Sequence, residues 1–192
     1  MTYEVRTARE ADLTGARSVM LDTFYRDFGY GYVPHWHHDV IDLHGAYLEP
    51  PRHTLLVAVH NGQIVATTGV RAVGPNHPPH PRWLAEKYPS GTTAQLFRVY
   101  VRPDHRRHGL ARQLVIMACE FVAQTPGYDA IYLHTDTRVR GAEPFWRSIA
   151  EPIHTDGHTL HCSMPIRSES SPEDGAGNGV SRADTPNAHS AV

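Results

Sequence analysis

The pair Asn61-Gly62, set between the runs Thr54–Val59 and Gln63–Val70, constrains this chain more than any other local feature. A two-residue type I′ hairpin turn needs positive φ at both central positions, and Asn followed by Gly meets that need at least steric cost. The flanking runs are rich in Val, Ile, Leu and Thr, the residues that suit a pleated surface. An antiparallel hairpin is therefore expected, and every other element has to fit around it.

The remaining pattern alternates strands with helices. Tyr3, Val5 and Thr7 alternate with polar residues as in a short strand. Leu13, Ala16, Val19, Met20, Phe24 and Phe28 follow helical spacing, with Asp12 as the expected cap. A second helix is expected over about 36–48, ending before Pro50-Pro51. The Pro-rich stretch 74–93 reads as an irregular insertion with a short helix near 83–88. Strands are expected at Leu96–Val101, Ala130–Thr135 and Thr159–Met164, and helices at Leu110–Gln124 and 142–149. An antiparallel hairpin leading into a βαβ crossover predicts an α/β (α+β) domain: a single mixed, mostly antiparallel sheet flanked by helices.

With 192 residues the chain suffices for one domain, expected over 2–166. The segment 167–192 has almost no large apolar residues and is expected to be a disordered tail. A net charge of −2 points to neither nucleic acid nor a membrane surface. No apolar run reaches the length of a membrane span, and the first residues lack the pattern of a signal peptide. Two cysteines far apart in sequence suggest no disulfide framework, so a cytoplasmic protein is expected.

The chemistry concentrates in residues 95–112, where a strand ends at Val101, a basic loop holding Gly109 follows, and a helix opens near Leu110. The first N–H groups of a helix lack intrahelical acceptors, and the helix dipole adds positive potential at the same end. Glycine lets an oxyanion approach the backbone closely. Five arginines (98, 102, 106, 107 and 112) surround this turn with one nearby acid, Asp104. A pyrophosphate fits such a site; a solvated basic turn before an ordinary helix also fits. Neither a P-loop nor a GxGxxG fingerprint is present.

The run Arg106-x-x-Gly109-x-Ala111, preceded by Leu96-x-x-Val99-x-Val101-x-Pro103, resembles the [RQ]xxGx[GA] signature of the GNAT acyl-CoA N-acyltransferases. Glu143-Pro144-Phe145-Trp146 is similar to the aromatic pair that this family carries on the helix after its fifth strand. The resemblance implies acetyl-CoA as co-substrate and no metal. It places the pantetheine arm between the fourth and fifth strands, against the backbone of Val99 and Val101. It assigns the pyrophosphate to Arg106, Arg107, His108, Gly109, Leu110 and Ala111.

The family's usual proton carriers are missing. Gln95 stands where a glutamate base is common, and an amide accepts no proton. Trp146 stands where a tyrosine acid is common, and an indole N–H is too weak an acid. His134, at the end of the strand 130–135, is the alternative base; a packed or solvated strand-end histidine is the other reading. Arg98 suits either a substrate carboxylate or a structural ion pair. Tyr25 and Tyr30 suit either an acceptor wall or ordinary packing. The histidines at 35, 37, 38 and 44 lack the spacing of a metal set.

The resemblance implies N-acetylation of a small-molecule primary amine, by direct transfer and without nucleic-acid or membrane partners. It leaves room for a homodimer. Acetylation of a protein lysine or N-terminus, and a non-catalytic acyl-CoA-binding module, are the competing readings.

Overall fold

The computed structural model describes residues 1–167. In chain order it contains β1 (Glu4–Thr7), α1 (Leu13–Thr23), α2 (Pro34–Ile41), β2 (Thr54–His60), β3 (Gln63–Arg71) and α3 (Arg82–Lys87). It continues with β4 (Thr93–Val101), α4 (Leu110–Gln124), β5 (Ala130–Asp136), α5 (Ala142–Arg147), β6 (Glu151–Asp156) and β7 (Thr159–Met164). The strands form one sheet in the order β1-β2-β3-β4-β5-β7-β6. Only β4 and β5 pair in parallel; every other neighbouring pair is antiparallel. This is the mixed, mostly antiparallel sheet that the element order implied.

The hairpin forms as its turn chemistry dictates, with φ of 49° at Asn61 and 75° at Gly62. Its first strand is buried on both faces. Leu55 and Val57 point into a core under α1 and α2, while Leu56 and Ala58 point into one under α4. This two-sided burial explains why the run reads as continuously apolar.

Three expectations need correction. Asp12 does not cap α1: its carboxylate accepts from Arg9 N–H at 2.7 Å and from Arg6, anchoring the turn before the helix. The helix expected over 36–48 is two pieces. Pro34 opens α2, since its missing N–H costs nothing in the first turn. The Asp42 side chain then accepts from Gly45 N–H at 2.9 Å, competing with helical continuation, and a wide turn follows at His44–Leu48. The third correction is β6, which the sequence reading missed. It carries Pro152, is largely exposed and pairs only with β7 at the sheet edge. Proline is tolerated on edge strands, and an exposed edge needs no apolar alternation. The expected tail, apart from Arg167, lies outside the described residues.

The insertion between β3 and β4 is pinned at its base. A Cβ placed on Gly74 would lie 1.7 Å from the Tyr88 carbonyl oxygen, a backbone atom that cannot swing away. Gly74→Ala is therefore expected to cost roughly 3 kcal/mol, the upper range for overpacking, read as a lower urea midpoint at unchanged slope.

Candidate active site

The cofactor cleft starts from a break in sheet pairing. β4 and β5 pair only from Thr93↔Ala130 to Gln95↔Tyr132. Beyond that point β4 runs on to Val101 against β3, and β5 runs on to Asp136 against β7. The two strands thus separate, leaving backbone groups of each without a strand partner across the gap. A bulge sharpens the separation: Thr67 and Gly69 on β3 face Tyr100 and Phe97 on β4, so β4 carries one residue more. Arg98 takes the strain with φ of 53°, and its carbonyl accepts from the Thr67 hydroxyl at 2.7 Å. Val99 and Val101, expected to meet the pantetheine arm, lie on this separated stretch. The Val101 carbonyl already accepts from Arg106 Nε at 3.0 Å.

The expected anion loop ends where α4 begins. Gly109 is the residue before the helix, with φ of 77°, and it provides no side-chain cap. Arg107 is also left-handed, at φ 69°. Among the described residues, the backbone N–H groups from Arg107 through Arg112 have no hydrogen-bond acceptor. They lie at an exposed loop and helix start, and nothing lies within 4 Å of a Cβ built on Gly109. Open space and unpartnered donors fit a diphosphate.

The basic clustering looks different in three dimensions. Arg102 is paired with Asp22, and Arg106 with Asp27, both carboxylates supplied by α1 and the turn after it. Arg98 binds Asp39 of α2 through Nε–H to Oδ2 at 3.0 Å and Nη2–H to Oδ1 at 2.6 Å. The Tyr47 hydroxyl donates to the same Asp39 carboxylate at 2.6 Å. Burial works to raise the Asp39 pKa, but the Arg98 and Tyr47 hydrogen bonds outweigh it and the net direction is down. Arg98 is thus engaged in a buried ion pair with Asp39. Sequence reasoning missed Asp39, since 59 residues separate the partners and no local pattern joins them.

The acceptor side lies on the opposite face of the sheet from α4. Tyr30 stacks near Phe28 at 5.6 Å and meets Trp36 edge-on at 6.2 Å. Burial raises the Tyr30 hydroxyl pKa, and the nearby charges of Asp136 and Arg138, at and after the end of β5, also act on it. Tyr25 stands apart, largely in solvent over Gly31.

His134 lies two positions beyond Tyr132, the last residue of β5 that pairs with β4. Its Nδ1 lies 3.4 Å from Gln95 Nε2, so the structure brings the two residues together. The ring keeps an exposed edge yet is closely surrounded. Desolvation lowers its pKa, and neighbouring His80, His161 and Arg98 lower it further, which keeps the imidazole neutral near pH 7. Trp146 is buried in the core beneath α4 and has no place in proton transfer. No group of three or more His, Cys, Asp or Glu among the described residues is arranged to hold a metal ion. No helix among them is long and apolar enough to cross a membrane. A separate cavity of about 380 Å³ lies between α4 and the end of β7 and shares no residue with the 106–111 loop.

Comparison with known proteins agrees with this geometry. The sequence profile of the acetyltransferase (GNAT) family matches residues 17–149. N-acetyltransferase 8 of Rattus norvegicus is 33% identical over 113 residues, covering 59% of this chain and 46% of that protein. The chain therefore spans about half the length of this curated relative. A GNAT-family acetyltransferase from Staphylococcus aureus Mu50 superposes with a TM-score of 0.67 at 13% identity, over 86% of this chain and all of that one. The PaiA N-acetyltransferase from Thermoplasma acidophilum, solved in complex with coenzyme A, gives a TM-score of 0.61 at 12% identity, over 85% and 99% of the two chains. At such identities the structural likeness establishes the fold alone.

Proposed function

Because this chain belongs to the GNAT acetyltransferase family, whose members transfer acyl groups from acyl-CoA, we propose that it moves an acetyl group from acetyl-CoA to a primary amine of a small molecule. The observation that carries the cofactor half is the row of unpartnered N–H groups from Arg107 through Arg112 beside the gap between β4 and β5. Those groups hold the diphosphate, and the backbone of Val99 and Val101, on the stretch of β4 separated from β5, aligns the pantetheine arm. The small-molecule assignment rests on enclosure. The insertion sets the His80 ring 4.6 Å from the His134 ring, which narrows the acceptor side.

Acetyl-CoA supplies the acyl group already activated as a thioester. The chain's residues then have two tasks, orientation and proton removal. An incoming ammonium has to lose a proton before its nitrogen can attack. Neutral His134 accepts that proton on a ring nitrogen. The C–N bond forms as the C–S bond breaks, and the departing thiolate takes a proton from solvent.

Free thiol release from acetyl-CoA, followed over a panel of small amines, lysine peptides and N-terminal peptides, tests this assignment. Release with small amines is expected. Tight cofactor binding without release for any amine would leave a binding module, and release with peptides alone would move the acceptor to proteins. His134→Ala is expected to lower kcat by roughly 100-fold with an unchanged Kd for acetyl-CoA. A comparable loss in Kd would assign His134 to binding instead.

A further inference from the structure

The acceptor face gathers histidines from four separate elements, and a single base does not account for them. His134 on β5 is in register with His161 on β7, which is in register with His154 on β6. His80 reaches the group from the insertion, with its ring 4.6 Å from His134 and 5.2 Å from His161. His161 is fully buried; its Nδ1 lies 2.6 Å from the Tyr132 hydroxyl, and its Nε2 has no partner. On the β4 side, buried Gln95 meets His134 Nδ1.

We infer that Gln95 and His80 are positioning residues for His134: the Gln95 carboxamide, with its oxygen turned to Nδ1, holds the ring in the Nδ1–H tautomer, and His80 packs the ring in place from the insertion. The inference rests on the reading of His134 as the proton acceptor.

The chemistry follows from what a carboxylate would do at position 95. An anion at this distance favours the imidazolium, which has no lone pair left for the amine's proton. A carboxamide is neutral; its nitrogen stands toward Nδ1 in the structure, and a half-turn of the amide brings its oxygen there instead. With the oxygen toward the ring, Nδ1–H donates to Gln95, and the lone pair sits on Nε2, the nitrogen Gln95 does not touch. This is the arrangement that leaves a basic nitrogen free for the acceptor.

The other neighbours of His134 act in one direction. His80 and His161 disfavour a second proton in the group, and Arg98 on β4 adds positive charge. His154 acts on His161 in the same sense, while Asp156 acts in the opposite sense on both His161 and His80. Tyr132 engages His161 and is itself held neutral, chiefly by burial. Desolvation lowers the pKa of His80 as well. Together these neighbours lower the His134 pKa, at a site where the amide of Gln95 replaces the family's usual carboxylate.

Ring ¹⁵N NMR of the full-length protein tests this without knowledge of the acceptor. The His134 resonances are assigned by their loss in His134→Ala. The wild-type ring is expected to hold the Nδ1–H tautomer and to remain neutral down to about pH 5. Gln95→Glu is expected to raise its titration midpoint by about one pH unit or more, and His80→Ala by a smaller amount. The same upward displacement is expected in the acidic limb of kcat/KM once an acceptor is found, which a purely structural role would not produce. Titration near pH 6.5 with mixed tautomers in the wild type, unmoved by either variant, would overturn the inference. Should Gln95→Glu fail to fold, His80→Ala, at a half-buried loop position, carries the test alone. The two readings separate cleanly. Full turnover in His134→Ala removes the base itself; lost turnover with immobile midpoints removes only the roles of Gln95 and His80.

Discussion

Gly109→Glu is expected to abolish acetyl-CoA binding in a calorimetric titration while the protein remains folded. The position has open space around a Cβ, with no protein atom within 4 Å of it. What it meets is the region where the diphosphate is proposed to lie. Two like charges about 4 Å apart at an effective dielectric near 20 repel by about 4 kcal/mol, roughly a thousand-fold in Kd. The carboxylate also competes directly for the free N–H groups of residues 107–112. Stability changes little by comparison. A left-handed φ of 77° costs a non-glycine residue about 1–2 kcal/mol. Gly109→Ala shares that strain but not the charge, so it is the matched control. It should lose a similar amount of stability and much less affinity. Equal affinities for wild type and the glutamate variant would place the cofactor elsewhere, and the acyl-transfer site with it.

Asp39→Ala is expected to destabilise the fold by roughly 3–5 kcal/mol, because it leaves the buried Arg98 guanidinium without its counter-charge. The side chains of Arg98 and Asp39 are 10% and 1% exposed, so water cannot compensate the loss. The variant also strands the Tyr47 hydroxyl, whose partner is the same carboxylate. Replacing both charges, as in Arg98→Met with Asp39→Leu, should recover much of the loss, since the desolvation cost disappears with the pair. Urea unfolding of the two single variants and the double variant measures this directly. A loss below about 1 kcal/mol for Asp39→Ala would mean that the pair behaves like a surface ion pair, and would free Arg98 for an acceptor carboxylate. The site depends on this pair in a second way. Arg98 occupies the bulge of β4, so its anchor to α2 ties the acceptor-side helix to the strand that borders the cofactor gap.

Each legible part of the protein was a local signal. Asn61-Gly62 announced its turn because positive φ is a property of two adjacent residues. The helix start at Leu110 and its glycine were readable because the donors that matter belong to consecutive peptide units. The strand ending at Val101 was readable from its own β-branched run. By contrast, β6 carried no pattern, since an exposed edge strand with Pro152 is under no demand to alternate. The split of the expected helix over 36–48 turned on one competing hydrogen bond from Asp42.

The arginines show the boundary most plainly. In sequence, five of them crowd one turn with a single acid, and that imbalance reads as an anion site. In the folded chain, Asp22, Asp27 and Asp39 arrive from the first two helices and the turn between them, and take three of those arginines as partners. The proposed anion site is made of backbone N–H groups instead, which no distant side chain among the described residues has claimed. The histidines run the other way: His80, His134, His154 and His161 are scattered in sequence, and only pairing in the sheet and the path of the insertion set their rings together. Short-range backbone geometry, set by neighbouring residues, was therefore written in the sequence, along with the turn, the sheet class and the glycine-led helix start. Charge partners and the company each imidazole keeps depend on contacts between residues tens of positions apart, and the packing of the whole domain decided them.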